Sequence, residues 1–298
     1  MATDSTREQE GAFNPFPWVE SEFGVPSDSE EFHQPNAPNR VWRLCWPDRA
    51  PLFLKAFSSR TKCQREARAS RFWAPALRGE DLSVTEVIAI DPQERALLLR
   101  EISGEIAAAT EGTKREQELW ASRMAQALRQ LHRQPLTGWE PDPLSISDAI
   151  SRRLEAWLAR AGDRLSSTER RTAQSLIGDG SLFAGEVRVP CHRDFHPRNW
   201  LIDRSDPSRR RYGLIDFEHA RPDHFLVDFV RVAEDAPPNE FDSFLEGYGI
   251  RSRSEIEERL RALLALHAIG SLVWGEDHGD LEFRNSGRRL LARLEAEF

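Results

Sequence analysis

The segment His192-Arg193-Asp194-Phe195-His196-Pro197-Arg198-Asn199 gathers a carboxylate, an amide and two imidazoles, and Asp216-Phe217-Glu218 follows seventeen positions after Asn199. Phosphoryl transfer asks for such a set. One carboxylate must orient the attacking hydroxyl or accept its proton, while an amide and a second carboxylate hold the magnesium ions that neutralise the phosphate oxygens. Asp194 supplies the first group, and Asn199 and Asp216 supply the others. His192 is placed to brace the loop from beneath. A single H-x-D also occurs in ordinary charged loops, so the weight lies on the compound pattern: the apolar pair Leu214-Ile215 before Asp216, and Lys55 about 140 residues upstream on its own apolar strand.

These residues need elements to hold them. Val41–Trp46, the turn Pro47-Asp48-Arg49 and Leu52–Phe57 read as a β-hairpin that carries Lys55 in its second strand. A helix over Lys62–Ala74, limited by Pro75, carries Glu66. A second hairpin is expected over Ser83–Ile90 and Ala96–Ile102, turning at Asp91-Pro92-Gln93-Glu94. Beyond Gly104 the pattern turns helical. The capping-box pattern at Thr113–Glu116 opens a helix to about His132, further helices are expected at Ser147–Arg160 and Thr168–Ile177, and the chain is helical again from Ser252 to its end. Short strands at Val187–Pro190, Trp200–Ile202 and Gly213–Asp216 bracket the charged loops.

On His192-x-Asp194-x-His196-x-x-Asn199 and Asp216-Phe217-Glu218 the chain resembles the aminoglycoside phosphotransferase and choline-kinase-like branch of the protein kinase superfamily. His196 stands where protein kinases usually carry Lys or Arg, Glu218 stands where they have Gly, and no A-P-E segment is present. The resemblance implies an α+β, bilobal protein-kinase-like fold, with a small mixed N-lobe at 33–102 that binds nucleotide and a larger, mainly helical C-lobe at 103–298. It also implies Mg2+-dependent transfer from ATP or GTP to a hydroxyl of a small molecule. An antibiotic is the first expectation for that acceptor and a metabolite such as choline or an amino sugar the second, with a non-catalytic pseudokinase as the opposing reading. Lys55 resembles the lysine that holds the α- and β-phosphates, Glu66 its partner, and Asp228 the aspartate that supports the catalytic loop. The phosphate-covering loop falls at Gln34–Val41, where Pro35–Arg40 holds no glycine, leaving Asn39 for polar contact. The connector Arg100-Glu101-Ile102-Ser103-Gly104 is expected to read adenine through its backbone. Acceptor contacts are expected from Glu218 and Asp223, and from Trp274, Glu276, Asp277 and Asp280, which two glycines are expected to set on a turn at the cleft mouth.

The bulk numbers exclude more than they select. The net charge is −8, but residues 1–32 hold eight acids against Arg7 alone, so the rest of the chain is close to neutral. This acidic leader reads as loosely ordered, with Phe13, Phe16, Trp18 and Phe23 able to dock on the body. No basic stripe interleaved with aromatics suggests nucleic acid, and Arg209-Arg210-Arg211 reads as a solvated turn. Three cysteines with no C-x-x-C pair suggest neither a disulfide framework nor a zinc site. With no apolar run of membrane length, a cytoplasmic protein without a membrane partner is expected. The oligomeric state stays open.

Overall fold

The computed structural model describes residues 13–32, 39–107, 114–206 and 210–296. Helix α1 (Phe16–Phe23) leads into strands β1 (Asp28–Phe32), β2 (Arg40–Trp46) and β3 (Arg49–Ala56), then helix α2 (Arg60–Phe72). Strands β4 (Leu82–Val84), β5 (Val87–Ile90), β6 (Ala96–Arg100) and β7 (Glu105–Ile106) follow. Helices α3 (Lys114–His132), α4 (Ile146–Ala161) and α5 (Ser167–Ile177) precede strands β8 (Val189–Cys191), β9 (Trp200–Asp203), β10 (Arg211–Leu214) and β11 (Arg221–Asp223). The chain ends in α6 (Val230–Asp235), α7 (Pro238–Tyr248), α8 (Glu257–His278) and α9 (Leu281–Ala296).

The first sheet runs β1-β2-β3-β6-β5 and is antiparallel throughout. Its order follows from alternation: Trp42, Leu44 and Trp46 of β2 and Leu52 and Leu54 of β3 all point to one buried face. The aromatic leader covers that face. Phe13, Phe16, Trp18 and Phe23 pack on it, with the Phe16 and Trp42 rings edge to face at 5.3 Å. The docking expected of these aromatics is therefore found, but the leader is not loose from Phe13 onward. Burial of α1 and pairing of Asp28–Phe32 with Val41–Cys45 tie it to the sheet. Residues 1–12 and most of the Gln34–Val41 loop (33–38) lie outside the described residues.

The expected strand Ser83–Ile90 divides in two. Residues 82–84 leave the first sheet and pair in parallel with β10, in the order β4-β10-β9-β7, while β5 and β6 alone form the hairpin. The switch has an apolar cause: Leu82 and Val84 join Trp73, Ala74 and Leu77 in the core shared with the helices. The connector closes tightly on this second sheet. Gly104 has φ +130°, and a Cβ there would sit 2.8 Å from the Ile202 carbonyl carbon, so only glycine fits. Strands β8 and β11 form a third, two-stranded unit.

Helix α8 buries residues around its whole circumference, Leu260, Leu263, Leu264, Leu266, Ile269 and Val273 among them, because α4, α5 and α9 surround it. It also overturns the turn expected at 274–280. Residues 274–278 are helical, and only Gly279 ends the helix, in the left-handed conformation. Gly275 serves packing instead: a Cβ there would lie 2.4 Å from the Arg284 amide nitrogen of α9.

Candidate active site

The loop that leaves β8 and returns as β9 carries the central residues. His196 caps the short 3-10 turn Pro197–Asn199 by accepting from the Arg198 amide at 3.1 Å. That turn aims Asn199 back at the loop, where its Nδ2 donates to the Asp194 carbonyl at 2.7 Å and to Asp194 Oδ2 at 2.9 Å. Both amide hydrogens are thereby used, and Asn199 Oδ1 is left as a neutral oxygen donor. His196 Nε2 lies 3.4 Å from Asp194 Oδ1. Burial alone would raise the Asp194 carboxyl, but His196 and the imidazoles of His219 and His192 hold it below the ordinary aspartate range. It is a carboxylate at neutral pH.

Two supports fix this loop. His192 is buried and its Nε2–H donates to the Ile215 carbonyl at 3.1 Å, joining the catalytic loop to the strand before Asp216. Burial lowers its pKa despite the surrounding aspartates, so it is neutral and suited to that single donation. Asp228, fully buried, accepts from the His192 amide at 2.9 Å, from the Arg193 amide, and from His132 Nε2 at 3.0 Å. His132 is in turn set by the Tyr248 hydroxyl at 2.7 Å. These bonds hold Arg193 at φ 67°, and Asp216 shares that left-handed conformation. Two non-glycine residues held so beside the same carboxylates mark a backbone over-determined by its surroundings.

Asp216 and Glu218 face the first sheet. Lys55 Nζ, buried on β3, lies 2.7 Å from Glu66 Oε2, 2.7 Å from Asp216 Oδ1 and 3.1 Å from Glu218 Oε2. Burial opposes the Lys55 charge, yet the three carboxylates outweigh it and raise its pKa well above the ordinary lysine value. Glu66 is pushed up to about 7 by burial, with Lys55 pulling it down and Asp216 pushing it further up. Lys62 Nζ adds a 2.7 Å contact to Glu218 Oε1, and Asn39 Nδ2 donates to Glu218 Oε2. Burial would raise Glu218 too, but Lys55 leads the groups that hold it far below the usual glutamate range.

One oxygen from each of Glu66, Asp216 and Glu218 lies within 4.8 Å of the others. Hard oxygen donors with more acid than base around them suit Mg2+ and fit the metal that the fold implies. Asp216 and Asn199 would be its protein ligands. The lysine contacts mark where phosphate oxygens would compete for charge.

Most expected residues meet here, and several corrections follow. Glu218, expected at the acceptor, is instead tied to Lys55, Lys62 and Asn39 at the phosphate end, because its carboxylate is the counter-charge those two lysines need. Asp223, also expected at the acceptor, is buried and pairs with Arg153 at 2.9 Å and with Arg193. In the connector, Arg100 is spent on the first sheet: its amide donates to the Glu86 carbonyl and its side chain pairs with Glu86. Glu101 pairs with Arg43 at 2.6 Å, and Ile102 packs against Gly213, so backbone alone remains there to read a base. The four tail residues do not join the site. Asp277 is held by Arg160 at 2.6 Å and Arg164 at 2.7 Å, Glu276 lies 3.4 Å from Arg164, and Asp280 caps α9 by accepting from the Phe283 amide. Trp274 stacks on His278 with ring centres 4.3 Å apart. Lys62 and His219 were not foreseen. The i, i+4 spacing of Lys62 and Glu66 on one helix was the available signal, whereas His219 had none beyond its place in the motif.

Lys55 of β3 paired with Glu66 of α2, the braced loop that carries Asp194 and the Asp216 beside Lys55 accord with a small-molecule kinase of the protein-kinase-like fold. The model of the phosphotransferase enzyme family matches residues 31–263, and the chain belongs to that family. A search of curated proteins gave no match. Among solved structures, the GDP and kanamycin complex of APH(2")-IIia is similar with TM-score 0.75 at 14% identity, covering 94% of this chain and 97% of that one. A thermostable mutant of aminoglycoside phosphotransferase APH(4)-Ia in ternary complex with AMP-PNP and hygromycin B gives 0.71 at 16%, covering 94% and 97%. The gentamicin–APH(2")-IIa complex gives 0.66 at 15%, covering 93% and 94%. At such identities the likeness is one of fold. No helix among the described residues is long and apolar enough to cross a membrane.

Proposed function

We propose that the protein transfers the γ-phosphate of ATP or GTP to a hydroxyl of a small molecule, with Asp194 as the group that orients the hydroxyl and takes its proton. The observation that carries this reading is the pair of Asn199 bonds to Asp194, which fix the carboxylate and spend both amide hydrogens, leaving the Asn199 amide oxygen available. The hydroxyl oxygen bonds to the γ-phosphorus, the bond from that phosphorus to the bridging oxygen breaks, and the nucleoside diphosphate leaves. The hydroxyl proton passes to Asp194 and then to solvent. Lys55, held by Glu66, positions the α- and β-phosphates, and Lys62 offers a second cation at the same end. Mg2+, held by Asp216 and Asn199, would supply charge neutralisation of the phosphate oxygens.

The kanamycin, gentamicin and hygromycin B named with the similar structures support an antibiotic as the acceptor. A metabolite acceptor is favoured by a specific observation: every acid expected to receive an amine-rich antibiotic is already engaged, Asp223, Glu276 and Asp277 by arginines, Glu218 by lysines and Asp280 by the Phe283 amide. The test of the shared reaction is Asp194→Asn. Turnover on any accepted hydroxyl compound should fall by about 10²-fold or more while nucleotide affinity is kept. Near-parental turnover removes Asp194 from the mechanism.

A further inference from the structure

Beside the catalytic loop lies a group of arginines short of counter-charge. Strand β11 pairs with β8 so that Arg221 faces Cys191 and Asp223 faces Val189. Arg221 and Asp223, two residues apart, share one face of their strand. Asp223 Oδ2 is approached by Arg153 of α4 at 2.9 Å and by Arg193 of the catalytic loop. One carboxylate is thus shared by two guanidinia whose side chains remain 21% and 19% exposed. Arg221 and Arg65 are partly buried, and neither side chain makes a hydrogen bond or ion pair among the described residues. Glu218, three positions before Arg221, gives no relief because Lys55 and Lys62 hold it.

The imbalance is felt by Arg221 itself. Burial, then Arg193, push its pKa down to about 8, Arg153 and Arg65 adding to the same effect and only Asp223 opposing it. Guanidinium stays protonated at neutral pH, so the shift expresses a missing anion. Such a deficit is costly in a partly desolvated place, and a fork of planar donors is the geometry that takes a carboxylate or phosphate by two parallel bonds. Position then decides which anion. Arg193 immediately precedes Asp194, and Cys191, across from Arg221, is at most about 11 Å of extended chain from Asp194. Arg221 therefore lies on the strand next to the one that runs into the loop of the proposed base.

We infer that the acceptor is a small anionic hydroxyl compound, carrying a carboxylate or a phosphate that Arg221 and Arg65 bind while its hydroxyl is presented to Asp194. This rests on the phosphotransferase reading above and names its substrate class. A polyamine such as kanamycin is repelled by the same residues. Arg153 and Arg193, already held by Asp223, shape the floor of the site, and Arg221 and Arg65 supply the free donors.

The experiment is calorimetric titration of the full chain with Mg2+ and AMP-PNP present, using ribose 5-phosphate, gluconate, neutral ribose and kanamycin as probes. At least one anion should bind, with the two anions separating phosphate from carboxylate preference, and neither ribose nor kanamycin should match it. Arg221→Gln and Arg65→Gln should each weaken the anion about tenfold or more, as the loss of a charge-assisted contact does. Both variants lack partners to lose, so their melting temperatures report folding independently. Binding of kanamycin or ribose as tight as the anions, anion binding indifferent to both substitutions, or no anion binding at all overturns the inference. The underlying reading is judged separately, by mass of any phosphorylated product in parent and Asp194→Asn protein with ATP or GTP. Phosphorylated kanamycin or ribose with no phosphorylated anion would keep the kinase and sink the anionic acceptor.

Discussion

Replacing Asp228 by Asn tests how the catalytic loop is held, because the change is nearly isosteric and far from any substrate contact. The carboxylate accepts three hydrogen bonds, Oδ2 from the His192 amide and His132 Nε2, and Oδ1 from the Arg193 amide. An asparagine has one acceptor oxygen, so in its better orientation it keeps the Oδ2 pair and turns an NH2 group against the Arg193 N–H. A hydrogen bond to a charged group contributes about 1.5–3 kcal/mol, and a buried amide left unpaired costs about 1–3 kcal/mol. A total on the order of 3 kcal/mol corresponds, for a chain of this size, to a melting temperature lowered by roughly 6–12 °C. The freed residue is Arg193, held at φ 67° directly before Asp194, so relaxation there displaces the carboxylate itself. Misplacement by about 1 Å can cost about 10²-fold in turnover. Thermal melting and steady-state kinetics on the best acceptor read both effects, with nucleotide affinity expected within about twofold of the parent because Lys55 and Glu66 are untouched. An Asp228→Asn protein melting within about 2 °C of the parent, with turnover within about twofold, would refute the bracing argument.

Asp216→Ala and Asn199→Ala should each raise the Mg2+ concentration for half-maximal turnover by about tenfold or more, Asp216 the further because it also brings charge; overlapping magnesium titrations would remove that residue as a ligand. Stability should fall on mild acidification. His224 is fully buried, and burial lowers its pKa from 6.5 to about 4 despite Glu186, while His192 is lowered in the same way. Between these values the unfolded chain binds the proton and the folded chain does not, so stability is complete above about pH 6.5 and lost as pH falls toward 4, by up to about 3 kcal/mol from His224. His224→Gln, melted at several pH values, should show a shallower slope over that window, and an unchanged slope would exclude His224 as the source.

The site was legible where chemistry forces residue types into fixed local spacing. Asp194, Asn199 and Asp216 come together because a loop of this length between two short strands can return an amide to its own base, and His192 and Asp228 brace it as their places suggested. Lys55 and Glu66 needed a longer-range condition, that a strand and the helix after it face the same cleft, and the apolar neighbours of Lys55 carried that information. What failed was any inference that read exposure from composition. The acids at 276, 277 and 280 and the two glycines beside them looked like a presented turn, yet Gly275 is small because α9 crosses there, Glu276 and Asp277 answer arginines that lie more than a hundred residues earlier, and Asp280 caps α9. The arginine group was invisible for the same reason. Arg153, Arg193 and Arg221 are ordinary in sequence, and only the pairing of β8 with β11 and the placing of α4 bring them round one aspartate.

The parallel pairing of β4 with β10 makes the two lobes one cooperative folding unit rather than two modules joined by a strap. Cutting the chain at 101–104 would leave β10 paired with β9 alone, its β4 edge bare, and strip Trp73, Leu77, Leu82 and Val84 from the core that the helices share. The N-terminal half is thus unfinished on its own, and it cannot be exchanged between relatives as a cassette ending at the connector. Any transplant of the first sheet and β4 must bring strand β10 and the Asp216–Glu218 segment that follows it.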